Sequence, residues 1–158
     1  MREADHTPAE DGSTLRRAGW SCEAGMVSSP HSHSVLVVDD QAPFRLAAKT
    51  VLRRLDCFEL AGEASSGPEA IDLVDELHPA LVLMDINMPE MNGIEATRRI
   101  VSAHPEVVVF LCSTYDVGDL PPDAAVSGAS AYVNKEQFGA DTLRRLWNSR
   151  DSGLFNAL

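Results

Sequence analysis

The sequence predicts a doubly wound α/β fold built on a five-stranded parallel sheet, and three observations carry that expectation. From Ser34 onward, short continuous apolar runs alternate with segments of helical period. The runs are apolar throughout rather than alternating, as expected of parallel strands covered by helices on both faces. Residues that bear chemistry, namely Asp39, Asp40, Asp85, Ser113 and Lys135, fall at the carboxyl ends of these runs. That is where sites lie in open α/β sheets.

Each element follows from its residues. "SVLVVD" is the first strand. "PFRLAAKTVLRRL" has Phe44, Ala47, Ala48, Val51, Leu52 and Leu55 at helical spacing, with Pro43 suited to the first turn. "FELAGEA" reads as the second strand. "SGPEAIDLVDEL" reads as a helix with Ser66 as N-cap and Ala70, Ile71, Val74 and Leu77 on one face. "PALVLMD" is the third strand, and "GIEATRRIVSA" is a helix stopped by His104-Pro105. "VVVFLCS" and "SAYVN" are the fourth and fifth strands, and "EQFGADTLRRLWNSR" closes the pattern as a helix despite Gly139. Between those last strands, "TYDVGDLPPDAAVSGA" holds Gly118, Pro121 and Pro122. A proline inside a helix costs about 3 kcal/mol. The fourth helix is therefore expected to be short or irregular, starting near Pro122 and running about two turns at most.

Composition bounds the organisation. The 158 residues are 44% apolar, enough for one domain with a real core. Residues 1–33 are rich in Ser, Gly, Glu and Asp and lack periodicity, which predicts a disordered, dispensable extension. Met26 is an alternative start. The folded domain is expected over 34–149, with 150–158 as a tail. His31 and His33 read as part of a solvated linker rather than a metal site. A net charge of -11 and a pI near 4.7 repel phosphate backbones and anionic lipid, which argues against nucleic-acid and membrane partners. No apolar run reaches membrane-spanning length, and the polar N-terminus with Glu3, Asp5, Glu10 and Asp11 has no secretory signal pattern. Cys22, Cys57 and Cys112 form no CxxC pair. They read as reduced thiols of a cytoplasmic protein, with Cys112 in the core.

Asp39, Asp40 and Asp85 would repel one another at neighbouring strand ends. A hard, oxygen-seeking cation such as Mg2+ resolves that repulsion. Lys135 adds a positive charge and Ser113 a hydroxyl donor, so the set can bind a phosphoryl group. A carboxylate can then serve as the nucleophile and form an aspartyl-phosphate. Taken singly, each residue has a plainer reading. Asp40 alone reads as a helix N-cap, Ser113 as any strand-end serine, Lys135 as a surface lysine and Tyr132 as packing. The pairs Arg16-Arg17, Arg53-Arg54, Arg98-Arg99 and Arg144-Arg145 read as solvated faces. It is the joint placement at strand ends that favours a site.

"VLVVDD", "LVLMDINMPEMNG", "FLCST" and "GASAYVNK" together resemble the receiver domain of two-component response regulators, over about Ser34 to Trp147. The resemblance implies a flavodoxin-like strand order 2-1-3-4-5. It implies that Asp85 is the phosphoacceptor and that Asp39 and Asp40 are the acidic pair at Mg2+, Asp40 directly and Asp39 through water. Asn87 would give its backbone carbonyl to the metal. Ser113 and Tyr132 would be the switch residues, Lys135 the family lysine, and Pro89 and Gly93 the shapers of the loop after the third strand. Glu136 stands where many receivers have proline, so a trans bond is expected after Lys135, as in receivers linked to helix-turn-helix outputs.

The implied function is that of a cytoplasmic, stand-alone phosphoacceptor rather than an enzyme. It would take phosphate from a histidine kinase or histidine phosphotransfer protein. It would then bind a downstream protein through the face of the fourth helix, fifth strand and fifth helix, as a monomer or weak homodimer. Two alternatives are a receiver-like binding module that works without phosphate and an aspartyl-phosphate hydrolase of haloacid-dehalogenase type. The hydrolase needs a second acid two residues after the nucleophile, where this chain has Asn87.

Overall fold

The computed structural model describes residues 32–158. Cys22, Met26, His31 and the rest of the expected extension before Ser32 lie outside the described residues. The elements alternate as β1 (His33–Val38), α1 (Ala42–Arg53), β2 (Phe58–Ala64), α2 (Gly67–Leu77), β3 (Leu81–Asp85), α3 (Gly93–Ala103) and β4 (Val108–Ser113). They continue as β5 (Ala131–Asn134), α4 (Ala140–Asn148) and β6 (Asn156–Ala157). Every strand pairing is parallel, in the order β2-β1-β3-β4-β5-β6. The order 2-1-3-4-5 is the expected flavodoxin-like one, and a two-residue sixth strand extends it.

The sheet divides the core into two layers, because successive side chains of a strand point to opposite faces. Leu36, Val38, Val82, Met84, Val109, Leu111 and Tyr132 pack with Ala70, Val74, Ala96 and Ile100 on the α2–α3 side. Val35, Val37, Leu81, Leu83, Phe110, Cys112 and Val133 pack with Ala48, Leu52, Leu143, Leu146 and Trp147 on the α1–α4 side. β3 is buried along its whole length, which explains its unbroken apolar run up to Asp85.

Local signals act where the sequence places them. Ser66 caps α2 by accepting a hydrogen bond from the Glu69 amide at 3.2 Å, and the Glu69 carboxylate accepts from the Ser65 amide at 2.8 Å. The first bond satisfies an amide that the first helical turn leaves free, and the second ties the chain just ahead of the cap to that turn. Asn92 caps α3 through the Ile94 amide at 2.6 Å.

The fourth helix is short and irregular, as expected: two 3-10 turns, Val117–Asp119 and Pro122–Val126, stand in its place, the second starting at Pro122. Other expectations are corrected. Gly139 does not lie inside the last helix but is its N-cap, after a separate 3-10 turn at Lys135–Gln137, so its helix-breaking tendency is harmless. Ala47 faces solvent rather than the core, since α1 buries Ala48 and Leu52. His33 is not linker: it opens β1 and packs at a tilt against Trp147, ring centroids 4.6 Å apart. Cys57 is disulfide-bonded, against the expectation of reduced thiols. Cys112 is free and buried, and burial pushes its thiol well above the ordinary range. No helix among the described residues is long and apolar enough to cross a membrane.

Candidate functional site

Four strand ends meet on the carboxyl-end side of the sheet. Asp39 follows β1, Asp85 ends β3, Ser113 ends β4 and Lys135 follows β5. Register keeps them level: Val38 pairs with Met84, Asp85 with Cys112 and Ser113 with Asn134. Gln41, Asp85, Asn87, Ser113, Thr114 and Lys135 line a cleft of about 140 Å³ at these ends.

Carboxylate oxygens of Asp39, Asp40 and Asp85 lie within 4.8 Å of one another. Asp39 and Asp85 are buried, while Asp40 is exposed. The N-cap of α1 is Gln41, without a side-chain cap, so Asp40 does not serve as the helix cap that its position alone suggests. Its carboxylate instead joins the acidic group. Burial, reinforced by the negative charge of Asp39, pushes the Asp85 carboxyl up to about 6, although Lys135 opposes the shift.

The Lys135 ammonium bridges the two buried acids, with Nζ 2.6 Å from Asp39 Oδ2 and 3.3 Å from Asp85 Oδ1. Burial disfavours its charged form, but the hydrogen bond to Asp39 and the fields of both acids hold its pKa above the ordinary lysine range. Nζ also sits 4.8 Å from the Phe44 ring centroid, and Phe44 meets Phe138 edge-on at 5.3 Å. An aromatic face thus backs the cation at low desolvation cost.

The loop after β3 is fixed by a close approach. The Gly93 amide donates to the Ile86 carbonyl at 2.8 Å, and a Cβ at Gly93 would lie 1.9 Å from the Asp85 carbonyl oxygen. Only glycine allows α3 to start against the end of β3. Glu90, at the turn of this loop, adopts the left-handed region at φ 71°.

The structure thus brings together all the sequence-predicted cleft residues: Asp39, Asp40, Asp85, Asn87, Ser113 and Lys135. Tyr132 lies apart, fully buried within β5. Its hydroxyl donates to the Tyr115 carbonyl at 2.6 Å, with the Ser113 carbonyl at 3.1 Å. Burial pushes its phenol up to about 12. Sequence reasoning missed Gln41, whose amide donates to Asp39 Oδ1 at 2.8 Å, and Thr114 at the cleft wall. It also missed Asn134, whose amide group donates to the Tyr115 carbonyl at 3.0 Å. The Gln41 contact is a backbone one that any residue but proline can supply, so its side chain carries no signal.

The strand order and the strand-end acids define a flavodoxin-like α/β domain with an acidic cleft at the carboxyl ends of its strands. Residues 35–147 match the response regulator receiver domain family, and the chain belongs to it. It is 39% identical over 101 residues to the chemotaxis protein CheY of Thermotoga maritima, covering 64% of this chain and 83% of that protein. It is 37% identical over 109 residues to the transcriptional regulatory protein DegU of Brevibacillus brevis, covering 69% of this chain but 46% of DegU. The chain thus spans a little under half of that longer regulator. The receiver domain of NarL from Mycobacterium tuberculosis superposes with a TM-score of 0.70 at 25% identity, over 78% of this chain and 99% of that one. A match to a protein-glutamate methylesterase of Alkalilimnicola ehrlichii covers 26% of that protein. Receiver domains are mainly signalling modules that work with histidine kinases and phosphotransfer proteins.

Proposed function

We propose that Asp85 accepts a phosphoryl group from a phosphohistidine on a kinase or phosphotransfer protein, and that the resulting acyl-phosphate alters how this chain binds other proteins. One observation carries the reading: the Asp85 carboxylate faces a cleft where the Lys135 ammonium lies 3.3 Å away and Ser113 and Asn87 share the walls. An Asp85 oxygen attacks phosphorus as the phosphorus–nitrogen bond breaks, and the histidine leaves with that electron pair. Lys135 and the Ser113 hydroxyl then meet the charge on the phosphoryl oxygens.

The donor set suits Mg2+. Three carboxylates within 4.8 Å, with Lys135 paired most closely to Asp39, leave negative charge that a hard cation would balance. Asp39, Asp40, Asp85 and the Asn87 backbone carbonyl would hold it. When bound, it supplies positive charge against both the carboxylates and the phosphoryl oxygens. Asp85 must be ionised to attack, and its raised pKa of about 6 leaves it mostly so at neutral pH.

The test is direct. The protein is incubated with Mg2+ and acetyl phosphate, then weighed intact. Gain of one phosphate, lost on mild alkali and absent from Asp85→Asn, is the expected result. No gain, or equal gain in Asp85→Asn, rejects the reading. A receiver that binds partners without phosphate is the second reading, favoured by the two 3-10 turns in place of a fourth helix. An unlabelled protein that still binds its partner would support it.

A further inference from the structure

The segment after α4 is not a loose tail. A 3-10 turn at Arg150–Ser152 and a left-handed Gly153 at φ 81° turn the chain back toward the sheet. It then adds β6 in parallel to the edge of β5. The Asn156 amide donates to the Ser130 carbonyl at 3.2 Å and the Leu158 amide to the Tyr132 carbonyl at 2.9 Å. The Asn134 amide donates to the Leu158 carbonyl at 2.8 Å. Side chains alternate as in a strand: Phe155 and Ala157 pack on the α2–α3 core layer, and Leu158 on the other.

The two β5 residues that hold this strand by their backbones hold the cleft loop by their side chains. Tyr132 and Asn134 both donate to the Tyr115 carbonyl, at 2.6 and 3.0 Å, and Tyr132 also reaches the Ser113 carbonyl at 3.1 Å. Tyr115 in turn donates from its hydroxyl to Asn87 Oδ1 at 3.3 Å. The loop leaving the cleft and the strand from the far end of the chain therefore hang on the same two residues. Beyond Tyr115 the chain continues into 3-10 turns rather than a full helix.

We propose that residues 154–158 are a latch on the β5 edge, coupled through Tyr132 and Asn134 to the Ser113–Tyr115 loop. Latch seating and loop closure then favour the same state, and each stabilises the other by an equal coupling free energy. While the latch is seated it occupies the sheet edge that an incoming parallel strand would need. A phosphoryl group on Asp85 that draws in the Ser113 hydroxyl fixes the loop and tightens the latch. This last step rests on the phosphoacceptor reading above, whereas the latch–loop coupling does not.

The experiment uses the full chain, amide hydrogen exchange and two proline variants. Leu158→Pro removes the amide that donates to Tyr132. Ala157→Pro is the control, because the inward amides are those of Asn156 and Leu158, so that of Ala157 faces away from β5. Leu158→Pro is expected to speed exchange over residues 113–116 by at least about fivefold relative to Ala157→Pro. Equal exchange in the two variants, both folded by circular dichroism, overturns the coupling. In the wild-type chain treated with Mg2+ and acetyl phosphate, with the added phosphate verified by mass, exchange at Asn156 and Leu158 is expected to slow by a similar factor. Unchanged or faster exchange in the labelled protein rejects tightening by phosphate. A chain that takes no label fails the phosphoacceptor reading instead, and the proline pair alone then decides the latch.

Discussion

Lys135 is held more closely by Asp39, at 2.6 Å, than by Asp85, at 3.3 Å, although both acids are buried. The lysine thus anchors to the fully buried acid and reaches toward the proposed nucleophile. Lys135→Ala would leave two buried carboxylates without their cation, and breaking a buried pair costs about 3–5 kcal/mol. Lys135→Met is expected to lower the denaturation midpoint without metal and to recover much of the loss in Mg2+. Urea titrations with and without Mg2+ check this. Equal losses in both conditions would place the lysine's role outside the charge balance.

Asp85→Asn is expected to stabilise the metal-free protein at neutral pH while abolishing labelling. Burial and Asp39 raise the Asp85 pKa from 3.8 to about 6, which destabilises the charged form in the fold. A shift of that size is worth on the order of 1–3 kcal/mol. A melting temperature at or below that of the wild-type protein in chelator would contradict it.

The same shift predicts a pH dependence with a definite sign. Between about pH 4 and 6 the folded Asp85 binds protons that the unfolded chain does not. Its contribution to stability therefore improves as pH falls through 6 toward 4 and is least favourable above 6. The difference in unfolding free energy between Asp85→Asn and wild type should shrink across that window in chelator. A difference constant from pH 4 to 7 would show that Asp85 titrates normally.

Mg2+ is expected to raise the melting temperature, because it binds the folded site better than the unfolded chain. Asp40→Ala should lose most of that response, since Asp40 is the exposed member of the acidic group. Differential scanning fluorimetry across a Mg2+ titration measures it. An undiminished response in Asp40→Ala would move the ion elsewhere.

His104 closes α3 with Nε2 2.6 Å from Asp75 Oδ1 of α2 and Nδ1 3.6 Å from Glu106 Oε2. The Asp75 hydrogen bond raises its pKa above 6.5, with burial opposing. Any stability this group adds is therefore present at low pH and fades as pH rises through its folded pKa. An NMR titration should show a raised His104 value that Asp75→Asn returns toward 6.5. No change in that variant would leave Glu106 as the cause.

Much of this was readable because each element had a local cause. "FELAGEA" runs from Phe58 to Ala64 as expected, and Ser66 caps α2 as expected. The cleft was readable because Asp85, Ser113 and Lys135 each end or follow a buried run, and parallel strands bring such ends together. What escaped lacked periodicity or a side-chain signature. β6 has two residues, too few to show a period, and it forms because β5 offers an edge. His33 looked like linker because its ring packs on Trp147, more than a hundred residues away in sequence. Gln41 acts through its amide, which the sequence does not distinguish.

Gly93 has a consequence for how this sequence can vary. A methyl group there would sit 1.9 Å from the Asp85 carbonyl oxygen, 2.8 Å from its carbon and 3.0 Å from the Ile86 Cα, all of them backbone atoms with nowhere to retreat. Every single-nucleotide missense change in a glycine codon yields a residue with a Cβ. In a library of random variants selected for phosphorylation, codon 93 should therefore tolerate synonymous changes alone, whereas Gly118, where a Cβ would have no neighbour within 4 Å, should accept many. The contrast makes a deep mutational scan a map of where backbone meets backbone.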